Sequence, residues 1–178
     1  ILEQAPMTLE MLLRERCVEE SMNESIASQI THNILNGLKT IHQLGFVHKD
    51  IKPENIFLKP YNYDNDTLSD ISQYTVIIGD FGLSKIITDN VDFYYTNSDD
   101  DNILNDGHTT GLGTGLYSAP EQLNINDTDA NTYDLRADIY SLGIILWELI
   151  QNPFDTMYEK MIYFKSLKNN NYKAFERI

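Results

Sequence analysis

The feature that most constrains the fold of this chain is the stretch from Ala137 to Ile150, which would be apolar on nearly every side if helical. A helix that is apolar all round is normally buried all round, so other elements must surround it. Pro153 limits its continuation, because proline lacks the amide hydrogen that a helix interior needs. The stretch is far shorter than the ~20 residues needed to cross a bilayer. We therefore predict a globular domain with this helix at the axis of its core.

A long amphipathic helix is predicted from Asn23 onwards, because apolar residues recur there at steps of three and four. Gly45 follows the pattern as a helix stop. Shorter helices are predicted after Thr8, which can cap one, and from Thr156 to Leu167. The apolar positions of the long helix are Ile26, Ile30, Ile34, Leu38 and Ile41.

Short extended segments are predicted at residues 46–47, 56–58 and 74–78. The polar stretch 61–73 between two of them is interpreted as a surface insertion. A second polar stretch, 88–108, contains three consecutive aspartates and is expected to be a mobile loop. The expected fold is therefore mainly helical with short β-hairpins.

The charge balance narrows the class of partner. The chain has 27 acidic and 13 basic residues, a formal net charge of −14. Such a chain repels phosphate backbones and anionic surfaces, so we expect it to bind neither nucleic acid nor membrane. A basic peptide or protein is a better partner. Cys17 is the single cysteine and cannot form a disulfide within the chain, which favours a reducing, cytoplasmic location.

Four motifs occur in order along the chain. They are HKDIKPEN at 48–55, DFG at 80–82, GTGLYSAPE at 113–121 and DIYSLG at 138–143. Alone, a polar loop of this kind is usually a solvated turn. Together, the motifs resemble the catalytic loop, the metal-binding motif, the end of the activation segment and helix F of protein kinases.

The resemblance covers essentially the whole chain and implies a protein kinase-like fold. It implies the hinge and the mainly α-helical large lobe with short β-hairpins, as a partial domain over residues 1–178, with the activation segment at 80–121. The small N-terminal lobe is absent from this sequence, and both ends look truncated. We therefore expect these residues alone to be inactive, and any kinase dimer to form through the small lobe.

The resemblance also implies roles for four polar residues. Asp50 would accept or orient the proton of the substrate hydroxyl, and Lys52 would reach the transferred phosphate. Asn55 and Asp80 offer the hard oxygen ligands that suit Mg²⁺. Lysine at position 52 is typical of serine/threonine kinases. The implied cofactors are ATP and Mg²⁺.

Further residues take roles from the family pattern. In the ATP site, the backbone of Glu3 and Ala5 would bind adenine and Phe57 would lie beneath it, beside Lys52 and Asp80.

Structural roles are implied for His48 and Phe81, which would pack in the hydrophobic spine, for Asp138 and for Glu121. Asp138 would anchor the catalytic-loop backbone, the alternative being a simple cap favoured by the helix dipole. Glu121 would pair with an arginine farther along.

The activation segment carries the implied regulatory threonines. Thr114 would help to hold the acceptor, and Thr109, with Thr110 as the alternative register, would be the activating phosphorylation site. One position departs from the pattern, because Lys49 stands where most phosphorylation-activated kinases have arginine. Lysine is a point charge and not a bidentate fork, so it should order a phosphate less tightly.

Within the kinases, the chain resembles those that phosphorylate the alpha subunit of translation initiation factor 2. The likeness lies in residues 108–114, 117–122 and 155–159. It implies substrate docking by Thr156, Tyr158 and Glu159 on the first turn of helix G, and this subunit as the protein partner. The alternative for Thr156 is an ordinary helix-start residue.

Two other functions stay open. The protein could be a serine/threonine kinase of another group, or a pseudokinase that keeps the fold as a scaffold. The intact Asp50, Lys52, Asn55 and Asp80 argue against a pseudokinase. The glycine-rich loop and the small-lobe lysine and glutamate, which would decide between them, lie outside this sequence.

Overall fold

The computed structural model describes residues 7–15, 22–60, 74–86, 115–123 and 135–168. These residues form α-helices and two small antiparallel sheets, as the sequence predicted. The helices are α1 (Leu9–Glu15), α2 (Glu24–Gln43), α3 (Pro120–Leu123), α4 (Arg136–Ile150) and α5 (Met157–Lys168). The strands are β1 (Met7–Thr8), β2 (Phe46–Val47), β3 (Ile56–Pro60), β4 (Tyr74–Ile78) and β5 (Lys85–Ile86), and a 3-10 turn spans Pro53–Asn55.

The predicted long helix α2 begins and ends where local chemistry requires. Asn23 Oδ1 accepts a hydrogen bond from the amide of Ser25 at 2.8 Å, a typical N-cap. After the helix, Gly45 takes the left-handed conformation with φ 81°, which glycine adopts without a Cβ penalty. The fully buried face carries Ala27, Ile30, Ile34 and Leu38. These residues bring α2 against α4 and β4.

The two sheets bring distant polar residues to the same place. In the three-stranded sheet, β3 lies between β1 and β4, and Ile56 pairs with Ile78. The residues just before β3 and just after β4 therefore meet at one end of the sheet. In the second sheet, β2 pairs with β5 with Phe46 opposite Ile86. This pairing holds the residues after β2 close to those before β5.

Helix α4 is part of the core, but the prediction that it is buried on every side is wrong. Leu142, Ile145 and Leu149 are buried, whereas Ile139 and Ile150 are 44% and 42% exposed. The helix is therefore buried on only one side of its surface, where it contacts α2, among the described residues. The burial of Asp138, Ser141 and Glu148 explains the difference, because polar residues occupy inward positions that the apolar pattern alone does not reveal.

An aromatic cluster fixes α5 against α4. The Phe164 side chain is fully buried, and its ring centroid lies 5.7 Å from that of Trp147 and 5.5 Å from that of Tyr117. Edge-to-face packing of this kind stabilises a contact beyond simple area burial. No helix among the described residues combines the length and apolar composition that a membrane span requires.

Candidate active site

The candidate catalytic loop, residues 48–55, connects β2 to β3 and brings three of the predicted site residues together. Asp50 Oδ2 accepts hydrogen bonds from Lys52 Nζ at 2.7 Å and from Asn55 Nδ2 at 3.0 Å. Asn55 Nδ2 also donates to the Asp50 carbonyl at 2.9 Å. Within the described residues, Asp50 Oδ1 accepts no hydrogen bond. One oxygen of this half-buried carboxylate thus stays available to an incoming hydroxyl.

Asp80 follows β4 and is held next to this loop by backbone bonds. The Gly79 amide donates to the Asn55 carbonyl at 2.9 Å, and the His48 ring bonds the Gly79 carbonyl at 3.0 Å through Nε2. Asp80 itself has φ 61°, a left-handed conformation that is uncommon for a residue with a side chain. Backbone outliers of this kind cluster at functional sites. The turn directs the exposed Asp80 to the same end of the sheet as Asn55.

Gly79, the residue between β4 and Asp80, packs closely against Phe57, so a side chain at this position would require the Phe57 ring to shift. A Cβ on Gly79 would lie 2.6 Å from Phe57 Cε2, closer than real Cβ contacts occur. Phe57 lies on β3 and is partly buried. It was predicted to lie beneath adenine, and the described residues put it next to the Asp80 turn. The predicted hinge residues Glu3 and Ala5 lie outside the described residues.

The donor set at this place fits a divalent cation such as Mg²⁺. The Asn55 amide nitrogen is used by Asp50, which leaves the Asn55 amide oxygen to face other groups. The Asp80 carboxylate is exposed, and among the residues that the structure describes its Oδ1 accepts one long hydrogen bond, 3.3 Å, from the Gly82 amide. No three His, Cys, Asp or Glu side chains cluster for a metal in the described ranges. One or two protein oxygens completed by phosphate oxygens is the usual arrangement for protein-bound Mg²⁺.

Asp138 ties the start of α4 to the candidate catalytic loop. Its carboxylate accepts the amides of His48 at 2.9 Å and Lys49 at 2.8 Å, and the His42 ring lies at 2.8 Å. The side chain is buried, and it lies inside α4 and not at its N-cap, Leu135. Lys49 has φ 70°, so the anchored backbone is held in a left-handed turn. The geometry is that of an anchor and not of a helix cap.

His48 connects the candidate catalytic loop to the Asp80 turn. It is fully buried, its Nδ1 lies 3.3 Å from the Asp50 amide, and its ring centroid is 4.9 Å from that of Phe81. An amide donating to Nδ1 and a carbonyl facing Nε2 require the ring proton on Nε2. Phe81 remains 48% exposed despite this contact.

Two lysines, Lys49 and Lys85, lie near the start of the candidate catalytic loop. Burial, and then the charge of Lys85, lowers the pKa of Lys49 below its usual range. The Lys49 carbonyl accepts a hydrogen bond from Gln122 Nε2 at 3.0 Å, which ties the loop to α3. Glu121 is exposed on α3. The pKa of Tyr140 is raised, mainly by the burial of Tyr140 and to a lesser extent by the charge of Glu121. The predicted Thr109, Thr110 and Thr114 lie outside the described residues.

The predicted docking residues form the first turn of α5. Thr156 Oγ1 accepts the Glu159 amide at 3.1 Å, and Glu159 Oε2 accepts the Asp155 amide at 3.0 Å. This reciprocal arrangement closely resembles a capping box. The Thr156 hydroxyl thus acts as a helix-start group, which agrees with the alternative interpretation of this residue. Tyr158 is 71% exposed and faces outward from the same turn.

Sequence reasoning missed a buried ionic cluster that connects four parts of the chain. Glu148 of α4 accepts the Tyr117 hydroxyl at 2.5 Å and pairs with Lys160 of α5 at 2.5 Å. Lys160 also lies 3.8 Å from Glu10 of α1. Burial raises the pKa of Glu148, although the nearby charge of Lys160 opposes this effect. Burial of Tyr117, and then the charge of Glu148, raise the pKa of Tyr117 well above its usual value. A glutamate in the otherwise apolar stretch 144–150 of α4 was the signal, since a buried charge needs a partner.

The chain matches the family described as protein kinase domain over residues 1–177. Similar proteins include eukaryotic translation initiation factor 2-alpha kinase 1 of Rattus norvegicus, 39% identical over 150 residues, or 81% of this chain and 21% of that protein. The Homo sapiens eIF-2-alpha kinase GCN2 is 36% identical over 148 residues, 79% of this chain and 8% of that protein.

A third relative is eukaryotic translation initiation factor 2-alpha kinase PK4 of Plasmodium falciparum. It is 33% identical over 165 residues, which make up 85% of this chain and 13% of that protein. The aligned part thus accounts for about a fifth or less of the length of each of these three relatives.

Proposed function

This chain belongs to the protein kinase domain family, and we propose that the protein transfers the γ-phosphate of ATP to a serine or threonine hydroxyl of a protein. The observation that carries the proposal is the hydrogen-bonded unit of Asp50, Lys52 and Asn55, with Asp80 at the same end of the sheet. Phosphoryl transfer needs a positioned acceptor and neutralised phosphate charge, and this set supplies groups for both.

The proposed reaction uses the free oxygen of Asp50. The acceptor hydroxyl lies against Asp50 Oδ1, its oxygen bonds to the γ-phosphorus, and the bond from that phosphorus to the bridging oxygen of ADP breaks. The hydroxyl proton passes to the Asp50 carboxylate. Lys52, 2.7 Å from Asp50 Oδ2, fixes the carboxylate and can turn towards the transferred phosphate. Asn55 and Asp80 would hold Mg²⁺, which when bound neutralises phosphate charge.

We propose the alpha subunit of translation initiation factor 2 as the acceptor protein. The three relatives described above are named as kinases of this subunit, and each aligns over roughly four fifths of this chain. The exposed Tyr158, beside Thr156 and Glu159 on the first turn of α5, provides a surface for a folded substrate. A cytoplasmic site of action goes with this proposal.

Replacing Thr156 by Asp tests the substrate. Aspartate is as good an N-cap as threonine, so the bond to the Glu159 amide can be kept while the docking turn gains a negative charge. We expect phosphorylation of the initiation-factor alpha subunit to fall about a hundredfold in kcat/KM, because an unpaired charge buried in an interface costs several kcal/mol. Phosphorylation of a generic serine peptide should persist, since Asp50 and Lys52 are untouched.

The matched control is Asn36→Asp, which adds the same charge at an exposed position in the middle of α2. It should leave both activities unchanged. Equal loss of both activities in Thr156→Asp would indicate damage to the fold, and no loss of either would remove α5 as the docking surface. An intact protein that phosphorylates no acceptor at all would contradict the kinase proposal itself.

Phosphorylation of Thr109, or of Thr110 in the alternative register, is proposed to activate the enzyme. A phosphate adds roughly −1.5 to −2 charge, and the crowded cations Lys49 and Lys85 are suited to receive it. Mass spectrometry of the fully active protein should find phosphate on one of the two threonines. Full activity with neither threonine phosphorylated would rule out this switch.

A further inference from the structure

The C-terminal end of α5 is bound directly to the segment 115–119, which follows the predicted acceptor-holding Thr114. Lys168, the last residue of α5, donates hydrogen bonds from Nζ to the carbonyls of Gly115 and Ser118, the latter at 2.8 Å. The two carbonyls lie on either side of Tyr117. One ammonium group thus clamps both ends of a four-residue turn.

Burial of Lys168 indicates that the contact is a built one and not a surface coincidence. Its side chain is partly buried, and burial lowers its pKa to about 8. A partly desolvated ammonium is costly unless acceptors replace its water, and the two carbonyls do so. Lys165, one turn earlier on the same helix, is exposed by contrast.

A second connection links α5 to the same segment. Lys160 pairs with Glu148 at 2.5 Å, and Glu148 accepts the Tyr117 hydroxyl at 2.5 Å. The Lys160 ammonium also lies 5.4 Å from the centroid of the Tyr117 ring. Helix α5 therefore contacts the segment both directly through Lys168 and indirectly through Lys160. Its twelve residues put the docking turn about 18 Å from the Lys168 end.

We propose that Lys168 is a positioning residue for the acceptor. It fixes segment 115–119 to α5. A protein docked on the first turn of α5 therefore presents its hydroxyl in a defined register with Asp50. This inference rests on the proposed function, because it assigns Lys168 to the placement of the kinase's acceptor. In this proposal, Lys168 rigidly connects the docking surface on α5 to segment 115–119.

The test compares Lys168→Met, Lys168→Arg and Lys165→Met in the intact protein. Methionine keeps the stem of Lys168 and removes its donors. We expect KM for a generic serine peptide to rise about tenfold in Lys168→Met, the effect of losing charge-assisted hydrogen bonds, while KM for Mg-ATP stays unchanged. Lys168→Arg should restore most of the activity, since arginine also donates to two carbonyls, and Lys165→Met should match the wild type.

A second measurement does not depend on activity. Hydrogen exchange of the amides of residues 116–119 should become about tenfold faster in Lys168→Met and stay unchanged in Lys165→Met, as expected for a segment that opens locally. Unchanged exchange, an unchanged peptide KM, or equal changes in the KM values for peptide and Mg-ATP would each overturn the proposal for Lys168. A wild-type protein that transfers no phosphate would overturn the proposed function and with it this role, whatever the exchange shows.

Discussion

Replacing Asp50 by Asn should abolish phosphoryl transfer while leaving nucleotide binding nearly intact. Asparagine is isosteric, and its oxygen can still accept the hydrogen bonds that Lys52 and Asn55 now donate to Oδ2. The position of Oδ1 then carries an NH₂ group, which cannot take the proton of the acceptor hydroxyl. We expect kcat to fall about a thousandfold, within the usual range for loss of a general base, with an unchanged Kd for Mg-ATP.

Two variants make this result specific. Glu54→Gln removes a carboxylate from an exposed position of the same loop and should behave as the wild type. Asp80→Ala should differ from Asp50→Asn by weakening Mg-ATP binding as well as turnover, because it removes a carboxylate that we propose holds Mg²⁺. Turnover and calorimetric titration with Mg-ATP measure both quantities. Wild-type turnover in Asp50→Asn would refute the assignment of the catalytic carboxylate.

Replacing Asp138 by Ala should cost both stability and activity. The change leaves the amides of His48 and Lys49 without their acceptor in a buried place, at about 1–3 kcal/mol for each unsatisfied group. The left-handed turn at Lys49 is then no longer held, and Asp50 follows it directly in the chain. We expect Tm to fall by about 4 °C or more and kcat to fall at least about tenfold.

The neighbouring position provides the control for Asp138. Ile139 is 44% exposed on the same turn of α4, and Ile139→Ala should change neither Tm nor kcat appreciably. Thermal unfolding and steady-state kinetics of both variants decide the matter. Normal turnover in an Asp138→Ala protein that is merely less stable would show that the anchor serves the fold and not the loop geometry.

Local patterns predicted those features whose causes lie close together in the chain. The apolar spacing from Ile26 to Ile41 predicted α2, and Thr8 and Asn23 cap the helices that follow them. The adjacency of Asp50, Lys52 and Asn55 follows from a loop of eight residues closed by two short elements. The motif order, and not any single residue, carried the prediction of the family.

The features that were missed depend on contacts between distant residues. Nothing in the sequence near Lys160 or Lys168 indicates which segment will accept their hydrogen bonds, since Lys168 reaches Ser118 across 50 positions. The one-sided burial of α4 was missed because its inward face includes Asp138 and Glu148, whose partners come from elsewhere. Periodicity detects apolar faces and is blind to polar residues that are buried in pairs.

The contact between Asp138 and the candidate catalytic loop also sets an order of events during synthesis. The His48 and Lys49 amides precede their acceptor by 90 and 89 positions. At a typical elongation rate of roughly 5–20 residues per second, the ribosome needs about 5–20 s after making the loop before it makes the carboxylate that anchors it. The nascent chain therefore passes through a period in which every predicted reactive group exists but the loop has no anchor from α4. Competence for catalysis should be gained only after α4 has emerged from the ribosome and docked.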